Sequence, residues 1–235
     1  MPRPDIYSPS DTIITITRAL GDWHAAHAAV IKVELGELDG VAQARALADD
    51  LDARQKAFDR EQVEDKALTT ERDGLLEDIR NFDRDVRASI ERRLKNAVRN
   101  QGKEDKVKGA RALSDFIGAP PSDTRSAKAA KSRLDDIDTA LAVHAAKIDA
   151  KGPARVQGWR ADIAAFQASL VDITLRLGKE SKETSDARDA RDKVVADAIE
   201  FITDMDLGAQ AVRSVSLAPL TAIQLIFETH NPATF

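Results

Sequence analysis

Proline placement constrains this chain more than any other feature. Proline lacks the backbone donor and clashes with the preceding turn, so it is excluded from helix interiors. The eight prolines stand at 2, 4, 9, 120, 121, 153, 219 and 232. Three long stretches, 10–119, 122–152 and 154–218, are therefore free to be helical. Strand signals are missing from them, since no β-branched alternating runs bounded by turn pairs occur. The one β-rich string, Thr12–Thr17, follows Ser10 and Asp11, which suit an N-cap, and its apolar spacing continues helically.

Four segments carry a 3,4 apolar rhythm. The first runs Ile13, Ile16, Leu20, Trp23, His27, Val30. The second begins Ala44, Leu47, Leu51, passes Phe58 and Leu68, and resumes at Leu75, Ile79, Phe82, Val86. The third is Ala127, Ala130, Leu134, Ile137, Leu141, His144, Ile148. The fourth runs Val156, Trp159, Ile163, Phe166, Leu170, Ile173, Leu177, then Ala187, Val194, Ala198, Phe201, Met205. This is amphipathic helix with a narrow, coiled-coil-like seam. Helices one and three come to about 25 residues each, and helices two (about 41–99) and four (about 154–206) to about 50–60, or roughly 75–90 Å of helix rise.

The pattern predicts an all-α protein, an elongated bundle of long antiparallel helices. Short helix, turn, long helix, turn and shorter helix occur twice, which suggests an internal duplication of helix order. The expected organisation is an extended N-terminal arm (1–10), helical unit one (11–117), a linker (118–125), helical unit two (126–228) and a C-terminal tail (229–235). Two such units side by side make two stacked four-helix layers. The first layer groups helices one and three with the first halves of two and four. The second groups the remaining halves with last helices at about 105–117 and 209–227, the latter following a turn at "LG" (207–208). The alternative is a compact bundle with both long helices folded at Gly74 and Gly178. Both long seams turn polar near their middles, at Arg54, Glu61, Asp65 and Arg72 and at Glu180, Thr184 and Arg191. Such residues either face solvent as the 3.6-residue period drifts, pair in a register-setting layer, or serve as ligands.

The function classes narrow by exclusion. A net charge of −5 gives no global argument for nucleic acid or anionic membrane. The absence of cysteine removes disulfides, thiolate nucleophiles and Cys-based metal centres. No phosphate loop, dinucleotide fingerprint or nucleophile elbow is present, and no cofactor is implied. No secretory apolar core opens the chain, which makes the cytoplasm the expected compartment.

Three features invite a more specific reading. "GDWHAAHAAV" (21–30) places His24 and His27 within one helical turn, and His144 falls on the seam of helix three. His24, His27 and His144 are therefore candidate metal ligands. The competing reading is that amphipathic imidazoles fill half-buried packing positions. Arg80–Arg111 is locally basic but lacks the stacking aromatics that nucleic-acid binding calls for. The uncharged stretch 214–227 is too short to span a bilayer and has only Arg213 nearby as a cation, so docking against its own chain is favoured over partner or membrane display. The leading expectation is a non-enzymatic structural or interaction protein that self-associates or binds another protein. The alternatives are a metal-binding bundle and a membrane-active helical protein exposing 214–227.

Overall fold

A computed structural model describes residues 3–35, 39–99 and 126–230. Helix α1 spans Ser10–Leu35, α2 Gly40–Arg99, α3 Ala127–Asp149, α4 Val156–Ala211 and α5 Ala218–His230, with a short 3-10 turn at Val212–Ser214. No strand occurs among the described residues. The fold is an all-α bundle whose two longest helices hold 60 and 56 residues. Neither Gly74 nor Gly178 interrupts them. The expected helix 105–117 and linker 118–125 lie outside the described residues, as do residues 231–235 of the tail.

Several helix ends have identifiable causes. The Asp39 carboxylate accepts from the Ala42 amide at 3.0 Å and starts α2, and the Ser126 hydroxyl accepts from Ala129 at 3.1 Å and starts α3. At α1 the structure differs from the N-cap read from sequence. Ser10 is already helical, the Pro9 carbonyl accepts the Ile13 amide, and the Ser10 hydroxyl donates to Gln55 at 2.7 Å. The expected turn at 207–208 is absent: α4 runs on to Ala211, with Gly208 buried inside it. Helix α5 starts at Ala218, where Pro219 sits in the first turn and needs no intrahelical donor.

The chain divides into two compact units, and the division falls within the long helices. Unit one holds α1, α2 up to Glu64, α4 from Ser181, and α5. Its core joins Ile13, Ile16, Leu20 and Trp23 of α1 to Ala48 and Leu51 of α2, Ile202 and Met205 of α4, and Ile223 and Phe227 of α5. Helix α1 runs antiparallel to α2, as Arg18 with Asp49 and Gly21 with Ala44 show. Unit two holds Asp65–Glu180, with a core of Leu76, Ile79, Val86 and Ile90 against Leu134, Ile137, Leu141, Trp159, Ile163 and Leu170. There Glu71 meets Arg176, Phe82 meets Phe166 at 5.4 Å, and Arg93 meets Trp159, so α2 and α4 are antiparallel.

That direction corrects the layer membership expected from sequence. Side-by-side units would group α1 with α3. Antiparallel pairing instead brings the first half of α2 to the second half of α4, so α3 belongs with the opposite halves and α5 packs on α1. The seam itself also drifts. On α1, His24 (8% exposed) and Ile31 (0%) are buried, whereas His27 and Val30 are half-buried. A straight helix with 3.6 residues per turn rotates away from a strict seven-residue repeat, which moves the core face one position along.

Candidate functional site

The 21–27 stretch packs closely against the start of α2. Gly21 lets the helices touch: a Cβ there would lie 2.9 Å from Ala44 Cβ. One turn on, the His24 ring lies against Gly40, where a Cβ would come within 2.6 Å of both Cγ and Cδ2. Two glycines, one on each helix, therefore set the α1–α2 spacing, and the imidazole fills the gap at the start of α2. Trp23 points the other way. Its indole Nε1 donates to the Pro219 carbonyl at 2.9 Å, satisfying a first-turn acceptor of α5 and pinning that helix to α1. His27 packs on Trp23 with ring centroids 5.7 Å apart and planes tilted by 53°.

The sequence candidates for metal binding are thus placed as follows. His24 and His27 belong to unit one and His144 to unit two. His24 faces a glycine and His27 an indole. Among the described residues, no trio of metal-ligating atoms within 4.8 Å of one another includes a histidine. His144 is half-buried on α3. The signal that sequence reading passed over was Gly21 and Gly40, whose spacing against an antiparallel partner marks a close helix approach rather than a ligand set.

The basic segment from Arg80 is only partly within the described residues, and there Arg80, Arg84 and Arg93 are engaged in local structure. Arg80 donates to the Leu76 carbonyl and pairs with Glu77, and Arg84 bonds Asn81. Arg93 is 8% exposed. It donates to the carbonyls of Ile148 (3.1 Å) and Pro153 (2.8 Å), sits 3.7 Å from Asp149, and lies over the Trp159 ring at 5.4 Å. Asp149 in turn accepts the amides of Arg155 and Val156 and so caps the start of α4. Arg93 is the buried hub of the α3–α4 turn. Arg133 likewise makes a two-pronged bond to Asp83, both contacts at 3.0 Å, in the unit-two core.

The polar middles are mixed. Arg54 is exposed beside Asp50, Arg72 pairs with Asp73, and the Arg191 guanidinium lies 4.4 Å over Phe58. Glu180 is 8% exposed. On the surface, the Arg160 guanidinium grips Asp138 with two hydrogen bonds and holds its carboxyl below the ordinary carboxylate range. Arg176 is held in its charged form mainly by its bond to Glu71.

Among the described residues, clefts open to solvent include the following three. One of about 410 Å³, in unit one, lies between the N-terminal arm and Gln55, Asp59 and Arg191. One of about 430 Å³, in unit two, has an apolar floor of Ile90 and Ile148. One of about 630 Å³, also in unit two, is walled by Glu71, Asp78 and Asp172. The apolar 214–227 stretch does dock on its own chain: Pro219, Ile223 and Phe227 are buried. Among the described residues its other face is not covered, since Val215 is 82% exposed, Leu217 60% and Leu225 61%. No described helix is long and apolar enough to cross a membrane. No protein-family model, curated protein or solved structure matches the chain.

Proposed function

We propose that this chain is a non-enzymatic helical structural or interaction protein, and that it works by associating with copies of itself. One observation carries the reading. Leu207, Val215, Leu217 and Leu225, all within 207–225, keep more than half of their surface in water. Scattered apolar residues on a surface are ordinary, but several exposed within one short stretch of chain are the kind of surface that protein contacts use. The charged side chains of the two long helices support the same reading. Many are spent on local pairs such as Lys56 with Asp52 and Arg60 with Glu64. The cytoplasm is the compartment this reading assumes, and cell fractionation checks it.

Light scattering coupled to size-exclusion chromatography tests the proposal. A mass that rises with concentration is the expected outcome. A monomer at every concentration refutes it.

A further inference from the structure

We infer that the outer face of α5 is a two-fold interface on which a second copy of this chain lays its own α5 antiparallel. The inference rests on the self-association reading above and names the surface responsible. Along α5, Ile223 and Phe227 point to the core. Leu217, Thr221 and Leu225, spaced by four, form a ridge on the opposite side, and all three are exposed. Ridges of this spacing interdigitate in the commonest class of helix packing.

The face is more apolar than its sequence. Thr221 donates its hydroxyl to the Leu217 carbonyl at 3.0 Å and Thr229 donates to the Leu225 carbonyl at 2.8 Å. Both hydroxyls are turned onto their own helix, so a partner need not satisfy them. Val215, Leu217 and Leu225 together present on the order of 300–400 Å² of apolar side chain. Doubled, and with the polar rim that makes up about 40% of an interface, this reaches roughly 1,200 Å², the lower end for a specific pair.

Charge selects both the occupant and the direction. The stretch 214–227 is uncharged, with Arg213 before it and Glu228 after it. Both flanking residues are exposed. Antiparallel two-fold pairing sets each Glu228 beside the partner copy's Arg213 and beside the positive end of its α5. Parallel pairing sets like against like. An anionic membrane is the poorer occupant, because helices that lie on one carry several cations along the polar face, and here Arg213 stands alone.

Sedimentation velocity on the full chain, over a hundredfold range of concentration, is the test. L225E alters an exposed side chain, so helicity and melting stay unchanged while dimer affinity falls at least tenfold. R213E and E228R each weaken association about threefold to tenfold, and R213E/E228R together recover it to within about twofold. If the wild type associates but L225E and L217E associate equally well, another face carries self-association and this inference falls alone. If the wild type stays monomeric, both readings fall. A double reversal no better than the single ones overturns the antiparallel geometry. A monomeric chain that co-floats with phosphatidylcholine–phosphatidylserine vesicles, and loses this on L225E, overturns the second copy as occupant.

Discussion

Three glycines in the long helices should respond to alanine with opposite signs. In a helix interior, glycine costs about 0.5–1 kcal/mol relative to alanine, because more backbone freedom is lost on folding. At Gly74 and Gly178 a Cβ meets nothing within 4 Å, so G74A and G178A should each stabilise by about that amount. At Gly40 the same methyl would lie 2.6 Å from Cγ and Cδ2 of His24. Those atoms are near the root of a side chain that is only 8% exposed, and the ring cannot swing clear without leaving its pocket. Overpacking of this kind costs about 1–3 kcal/mol, which exceeds the propensity gain, particularly at the first residue of a helix.

H24A should relieve the clash, so the double variant H24A/G40A should cost at least about 1 kcal/mol less than the sum of the singles. Urea unfolding followed by Trp23 fluorescence, in a W159F background that silences unit two, isolates the relevant unit. A neutral or stabilising G40A, or strict additivity with H24A, would refute the claim that the glycine exists to admit the imidazole.

Three further outcomes follow from the geometry. W23F removes both the donor to Pro219 and part of the buried indole volume, so it should cost about 2–3 kcal/mol and raise amide exchange in 218–230 before the rest of unit one. R93K cannot reach both the Ile148 and Pro153 carbonyls while covering Trp159; it should lower unit-two stability by about 2 kcal/mol, read by Trp159 fluorescence, whereas R92K should be silent because Arg92 is exposed. Asp138 has its carboxyl depressed by Arg160, so the pair's stabilisation is present above the ordinary carboxylate range and is lost as pH falls through the lowered value; the wild type should be slightly more stable than D138N at neutral pH, and acid titration should bring the two curves together below about pH 4, with a small amplitude because the pair is largely exposed.

The all-α class was legible because proline spacing and the 3,4 rhythm are local properties. Helix three shows this best: of the seven seam positions read from sequence, Ala130, Leu134, Ile137, Leu141 and Ile148 are buried as expected. What sequence could not supply was direction and drift. The pairing of α2 with α4 is a tertiary choice, and it decides whether α3 or α5 becomes the neighbour of α1. A one-position rotation exchanges His24 for His27 as the buried imidazole, and no apolar pattern can separate two residues of the same type. Arg93 falls within the basic segment read from sequence, and nothing in the sequence marks Arg133 as buried. They are buried because carbonyls of the α3–α4 turn and the Asp83 carboxylate, 50 or more residues away, come to meet them. The 214–227 stretch was legible as apolar, but which of its residues dock and which stay exposed depends on the face that packs on α1.

The split of the long helices also sets the order in which the protein can be made. Unit two is one unbroken span, Asp65–Glu180, and every partner in its core is present once that span has left the ribosome. Unit one is not. Ile13 and Trp23 wait through most of synthesis for Ile202, Ile223 and Phe227, and the loop that must close to join them contains the whole of the other unit. Loop closure over that separation is slow when the intervening chain is loose, and less so when it is already compact. Unit two thereby serves as a folded spacer for the assembly of unit one. Until α5 emerges, the apolar face of α1 stays open to water, which makes the interval before the final turns of the chain the time of greatest exposure to aggregation.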